Sequence, residues 1–401
     1  MTIQQERELG EKVLEAVKAR WPIIQDVSVN VYISGIGKRI LQSLDPQPFD
    51  YQFFVLNTPE LNAFAVPGGK VFVNSGLITA MDTEDELASV MSHEIGHVVA
   101  RHISKRQEQG TKISLAALGT MLAGILLGGK AAGAIATTTV AATETAFLKY
   151  SREDEEEADY LGSKFMERAG YDRHGMLTML KKMRRITGPA GSDPPAYLLT
   201  HPAVEERIGE LEIQMARYPS ATEKSKPVGN LQRIQTKLVV AEKDVSSSVA
   251  YFQNWLKRKP DDPEAFLGLG MAQKRMGGMD RAIENLTQAA SLAPNDGEIQ
   301  RELGAAYLLK GDLGEGRKYL EKAEKLTPSD GVTHFYLGRV YLEQSLADQA
   351  LPQLLRAKEL NPNLPDLYYH LAQAYGAKNL LGPAYLNFGY HYKAAGDRKQ
   401  L

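Results

Sequence analysis

A 34-residue period in the second half of the chain restricts the fold more than any other feature of the sequence. Pro260, Pro294, Pro328 and Pro362 fall 34 residues apart each time. Leu269, Leu303, Leu337 and Leu371 keep the same spacing, as do Gly270, Gly304, Gly338 and Ala372. Further small-residue columns are Ala282, Gly316, Ala350 and Ala384, and Ala289, Ala323 and Ala357; Tyr307, Tyr341 and Tyr375 form an aromatic one. Small residues where two helices cross, with Pro after the second, describe helical hairpins that bury their apolar faces only by stacking, as tetratricopeptide repeats do. Repeats are expected at 263–296, 297–330, 331–364 and 365–398, after a degenerate helical pair at 229–262. The polar, Pro-flanked segment from Tyr218 to Pro227 reads as a linker. The domains expected are therefore 1–217, a linker at 218–228, and a repeat domain at 229–401.

The first 217 residues lack this period and mix patterns. Residues 2–19 and 27–44 read as helices and Tyr51–Leu56 as a strand. Asn62–Val66, Pro67-Gly68-Gly69 and Lys70–Val73 read as a hairpin. Thr83 with Glu86 signals a capping box that opens a helix running to about Gln107, and Ser151 with Asp154 opens another that ends at Gly170.

The chain has no cysteine, which excludes disulfides, thiolate nucleophiles and sulfur-ligated metal, so any metal chemistry falls to His, Asp and Glu. A formal net charge of −2 gives no footprint for a nucleic-acid backbone, so no nucleic-acid partner is expected. His93-Glu94-Ile95-Gly96-His97 lies inside the first capped helix. Positions i and i+4 of a helix are about 40° apart, so both imidazoles can address one cation. Glu94, rotated by about 100°, can stand beside that cation as a base. His102 follows five residues after His97 and points to another face, which makes it a structural or outer-layer residue. A third ligand is better sought in Glu155-x-x-Ala158-Asp159, where one carboxylate can bind metal while the other orients a ligand.

With these motifs the chain resembles the HtpX-like and CAAX-prenyl-protease-like zinc metallopeptidases, which pair His-Glu-x-x-His with Glu-x-x-x-Asp on a later helix. Asn62–Ala65 with Pro67-Gly68-Gly69 is similar to the family's edge strand and turn, Ser75-Gly76-Leu77 to the approach to its active-site helix, and Thr200-His201-Pro202 with Arg207-Ile208 to its later His-Pro motif. The resemblance implies a mainly α chain: a zincin-type α+β metallopeptidase domain with a small sheet, then an α-solenoid of tetratricopeptide repeats. It implies one Zn²⁺ held by His93, His97 and Glu155, Glu94 as general base and Asp159 behind the ligands. His201 is implied at the site as either an oxyanion donor or a removable fourth ligand, and Asn62, Ala63, Phe64 and Ala65 as the strand that pairs with substrate. Arg152 and Arg207 either bind carboxylates near the site or form ordinary salt bridges.

The function expected is zinc-dependent hydrolysis of misfolded or unassembled protein clients recruited by the repeats; a chaperone-like binding module with a latent zinc site is the alternative. By the same resemblance the location is the bacterial periplasm and the partners include outer-membrane assembly machinery. Residues 1–8 lack the basic-then-apolar pattern of a leader, an expectation of either a cytosolic chain or one given without its presequence. The apolar run at 115–127 and the Ala, Gly and Thr-rich run to 147 are too short or too polar to span a bilayer. They read as a helical hairpin over the active site, with peripheral membrane contact through 115–147 as the alternative.

Overall fold

The computed structural model describes residues 1–109, 150–186, 194–217 and 226–394, so 115–147 lies outside the described residues. The chain divides into two compact units, Met1–Glu242 and Lys243–Leu401.

In the first unit, α1 (Ile3–Arg20) opens on a Thr2/Gln5 capping box, and α2 (Val27–Gln42) on Asp26, whose carboxylate accepts from the N–H groups of Ser28 and Val29. A three-stranded sheet follows in the order β1 (Gln52–Leu56), β3 (Lys70–Asn74), β2 (Ala63–Val66), with β1 parallel and β2 antiparallel to β3. The β2–β3 turn requires glycine, because Gly68 and Gly69 both have φ near +80° and a Cβ on Gly68 would lie 2.8 Å from the Glu6 carbonyl oxygen of α1. The remaining helices are α3 (Ser75–Ala80), α4 (Glu84–Val99), α5 (His102–Gln109), α6 (Arg152–Arg168), α7 (His174–Ile186), α8 (Ala196–Thr200), α9 (Val204–Arg217) and α10 (Leu231–Glu242).

Two expectations from the sequence are revised here. The helix opened by Thr83 does not reach Gln107. It stops at Val99; Arg101 takes a left-handed φ of +56°, and α5 restarts at His102. The break is a tertiary effect, since the Arg101 guanidinium pairs with Glu6 and donates to the Met1 carbonyl. The other revision concerns α10, which was grouped with the repeats. It packs on α2 and α3, burying Ile234 and Leu238 in the core of the first unit, and Gln235 donates to the carbonyls of Ile78 and Met81.

The second unit comprises α11 (Val245–Arg258) and then paired helices: α12 (Pro263–Arg275) with α13 (Met279–Leu292), α14 (Gly297–Lys310) with α15 (Leu313–Leu326), α16 (Gly331–Glu343) with α17 (Ala347–Leu360), and α18 (Leu367–Ala377) with α19 (Leu381–Ala394). The glycine column has a steric cause. A Cβ on Gly270, Gly304 or Gly338 would come within 2.5–2.7 Å of Cγ in Leu286, Leu320 or Leu354 on the paired helix. The turns inside the pairs repeat as well, with left-handed φ at Gly277, Gly311, Ser345 and Asn379.

A buried ionic chain joins successive pairs: Lys274 to Glu302, and Arg301 to Glu298, Glu302 and Asp330. Burial alone would raise the Glu302 pKa, but Lys274 and Arg301 outweigh it and hold the group at about 2. A folded pKa below the ordinary 4.5 means stability that is complete above that value and lost as pH falls towards 2, worth roughly 3 kcal/mol. The acid limb of unfolding of the second unit, followed by Trp255 fluorescence in a Trp21→Phe background, should therefore steepen between pH 4.5 and 2. In Glu302→Gln that limb should flatten and the stability at neutral pH should fall, because Lys274 and Arg301 lose a buried partner.

Candidate active site

Two glycines bring the site together. Where α4 crosses α6, a Cβ on Gly96 would lie 3.0 Å from the Ala158 carbonyl oxygen, and one on Gly162 would lie 3.1 Å from the His93 nitrogen. This close crossing sets His93, Glu94 and His97 of α4 against Glu155 and Asp159 of α6. The segment after α8 adds His201. His93, His97, Glu155 and His201 each offer a donor atom, and these atoms all lie within 4.8 Å of one another. His93 Nε2 is 2.9 Å from His97 Nε2 and 3.4 Å from Glu155 Oε2, and His201 Nδ1 is 3.0 Å from Glu155 Oε1. Glu94 stands next to this group, with Oε1 3.3 Å from His201 Nε2.

The outer contacts fix how the imidazoles face. Asp159 Oδ1 lies 2.8 Å from His93 Nδ1, so a proton held there leaves the lone pair of Nε2 aimed inward. His97 Nδ1 meets His102 Nδ1 at 2.8 Å, and His102 Nε2 reaches Glu157 at 3.1 Å. His102 thus occupies the outer layer expected of it, and the break at Ala100–Arg101 is what swings it back beside His97. Arg207 closes the shell: Nε and NH2 donate to the two Asp159 oxygens at 2.7 Å each, and NH1 lies 2.6 Å from Glu155 Oε2.

Ionisable groups crowd this buried site. Glu94, Glu155 and Asp159 are buried acids against a single buried guanidinium. Burial works against ionisation of Glu155, yet the neighbouring His201 and Arg207 charges hold it well below the usual carboxylate range. Burial and Arg207 oppose a proton on His93, but Asp159 and Glu155 prevail and raise it to about 9, while burial and the His93 charge push His97 well down. Burial raises Glu94 above an ordinary carboxyl group, and neither of its oxygens accepts a well-formed hydrogen bond. The Nε2 atoms of two imidazoles and a carboxylate directed at one point are a fitting donor set for Zn²⁺, which would displace the proton on His93, with Glu94 left over as a proton acceptor.

The other expected residues are placed as follows. Asn62 and β2 residues Ala63, Phe64 and Ala65 lie beside α4, and β2 is an edge strand, yet all four are at most 1% exposed. α8 is tied to the start of this strand, the Tyr197 N–H donating to the Leu61 carbonyl at 3.0 Å. Arg152 stays outside, pairing with Glu206 at 2.7 Å on the surface, whereas Arg207 is 1% exposed and central. Two tyrosines had not been singled out. Tyr150 stacks on His97 with ring centres 3.7 Å apart, and Tyr197 stacks on His201 at 4.5 Å. A local signal for Tyr197 exists: it precedes His201 by one helical turn, and its carbonyl accepts from the His201 N–H.

Residues 28–214 match Peptidase family M48, and residues 267–331 match the tetratricopeptide repeat. Residues 28–214, within the first unit, are an M48 peptidase domain. The order expected from the sequence, a metallopeptidase domain with a small sheet and then helical repeats, is borne out. The chain is 34% identical over 215 residues to the beta-barrel assembly-enhancing protease of Escherichia coli (strain K12), covering 52% of this chain and 44% of that one. The protein of the same name from Yersinia pestis is 31% identical over 228 residues, with 55% and 47% covered. The mitochondrial metalloendopeptidase OMA1 of Schizosaccharomyces pombe is 32% identical over 186 residues, with 45% and 52% covered. The chain thus spans about half the length of these relatives. Among the described residues of the M48 domain and the repeats, no helix is long and apolar enough to cross a membrane.

Proposed function

We propose that the chain is a zinc metalloendopeptidase that cleaves misfolded or unassembled protein clients recruited by its repeats. The observation that carries this reading is the convergence of His93, His97, Glu155 and His201 beside a buried Glu94 whose carboxylate accepts no well-formed hydrogen bond. Zinc, when bound, supplies water acidic enough to ionise near neutral pH and polarises the scissile carbonyl. His93, His97 and Glu155 hold it, and Asp159 with Arg207 fixes the His93 ring. Glu94 takes the proton of the attacking water and returns it to the leaving amine. Of the two roles open to His201, the position of its Nδ1 among the donors favours a removable fourth ligand over an oxyanion donor.

An extended client would pair with the outer edge of β2 at Asn62–Ala65 and gain main-chain hydrogen bonds without strong side-chain selection. That edge and the site are closed here, so cleavage requires α8 and His201 to move aside. The closure also keeps a second reading alive, a chaperone-like module whose zinc site stays latent. The bacterial relatives are named for β-barrel assembly, which supports clients among β-barrel proteins under assembly; partners in outer-membrane assembly machinery and a periplasmic location follow from the sequence resemblance and complete the proposal.

Zinc content separates site from coincidence. Purified protein should hold close to one zinc per chain, and His93→Ala should lose most of it. Sub-stoichiometric metal that His93→Ala leaves unchanged would remove the basis of the proposal.

A further inference from the structure

The short helix before His201 is held by main-chain and ring contacts that meet at one residue. α8 has five residues, too few to stand alone, and Pro195 at its N-cap offers no side-chain acceptor. The Leu61 carbonyl supplies the acceptor instead, taking the Tyr197 N–H at 3.0 Å. That carbonyl belongs to the free edge. Asn62 turns its own carbonyl inward to the Asn74 N–H, so the preceding one points away from β3, on the side where an incoming strand would pair. α8 therefore occupies a main-chain acceptor that an extended client would use.

Tyr197 also holds the imidazole. Its ring stacks on His201 at 4.5 Å, Tyr150 adds a second near-parallel ring at 5.3 Å, and the His201 N–H donates to the Tyr197 carbonyl at 2.9 Å. Tyr197 and His201 are both fully buried. The fit is incomplete at one atom. Among the described residues the buried Tyr197 hydroxyl has no hydrogen-bond partner, which leaves the closed state less stable than a phenyl ring would.

We infer that Tyr197 is a latch that couples strand pairing at the β2 edge to release of His201. A client that takes the Leu61 carbonyl frees the Tyr197 N–H, α8 loses its N-terminal support, and the ring withdraws from His201 with the helix. Tyr197 is thus a positioning residue. The inference rests on His201 being a removable fourth ligand and adds what removes it.

Hydrogen exchange tests the coupling with the latch intact, in zinc-loaded Glu94→Gln protein with and without excess casein. Residues 195–201 should exchange faster and 61–66 more slowly; a segment 195–201 that slows or stays unchanged would overturn the inference. Tyr197→Leu removes the stacked ring and should lower KM for casein at least about tenfold while kcat changes less, because apparent affinity scales with the open fraction. Zinc transfer to a chelator should quicken about tenfold, the fourth ligand having lost its support. Tyr197→Phe keeps the ring and drops the orphaned hydroxyl, so it should show a KM no lower and a zinc transfer no faster than wild type. A Tyr197→Phe protein as open as Tyr197→Leu would also defeat the latch. His201→Ala separates the latch from the reading beneath it. If His201→Ala lowers KM and quickens zinc transfer while Tyr197→Leu does neither, the removable ligand stands and the latch fails. If His201→Ala leaves zinc transfer unchanged and cleaves no better than wild type, the removable ligand fails and the latch with it.

Discussion

Glu94→Gln should reduce cleavage of an unfolded protein such as casein by about 10²–10⁴-fold, the usual contribution of a positioned general base. Zinc content and client binding should stay at wild-type levels. Gln is the same size and fills the same space, so the α4–α6 crossing and the donor set remain. What it cannot do is accept the proton. In the folded chain Glu94 is fully buried, its carboxylate accepts no well-formed hydrogen bond, and burial raises its affinity for a proton. Its nearest cationic partner is His201 at 3.3 Å, whereas Asp159 and Glu155 are held by Arg207 at 2.6–2.7 Å. Wild-type protein that digests casein no faster than the variant, even with client in excess, would defeat the enzymatic reading and leave the chaperone-like one.

Much of this site is legible in the sequence because its signals are local. Thr83 caps the helix, the i and i+4 histidines share a face within it, and Glu155 with Asp159 repeats the device on α6. What the sequence left open or missed depends on distant contacts. Arg207 is 48 positions from Asp159, and nothing in its neighbourhood distinguishes a buried fork from a surface salt bridge. The break after Val99 was invisible for the same reason, since 84–107 is a good helical sequence and the bend comes from Glu6 and Met1. For α10 an amphipathic pattern established a helix but not which core it joins. In the solenoid the opposite holds. Every pair repeats the same local problem, so the glycine and alanine columns report helix crossings directly. The left-handed turn column is harder to see because Gly277 and Gly311 give way to Ser345 and Asn379, which meet the same requirement at some cost.

Arg207→Leu should destabilise the metal-free first unit by about 3–5 kcal/mol, the cost of breaking a buried ion pair on one side only. Three donors are lost at once: two to Asp159 and one directed at Glu155, both acids lying in a shell that excludes water. The variant leaves those carboxylates with only the imidazoles as partners, and the His93 ring loses the anchored Asp159 that sets its tautomer. The same change makes the site more negative, so a divalent cation bound there meets less repulsion. Added zinc should therefore recover more stability in the variant than in wild type, because a ligand that binds only the folded state stabilises it in proportion to its affinity. Arg207→Lys should fall between the two, keeping the charge but not the bidentate geometry. Denaturant unfolding followed by Trp21 fluorescence in a Trp255→Phe background, with and without zinc, reads both effects. A loss below about 1 kcal/mol would show that Arg207 is not the counter-charge of the shell. An equal loss with and without zinc would separate Arg207 from the metal site, placing its role in the packing of α9 against α6 instead.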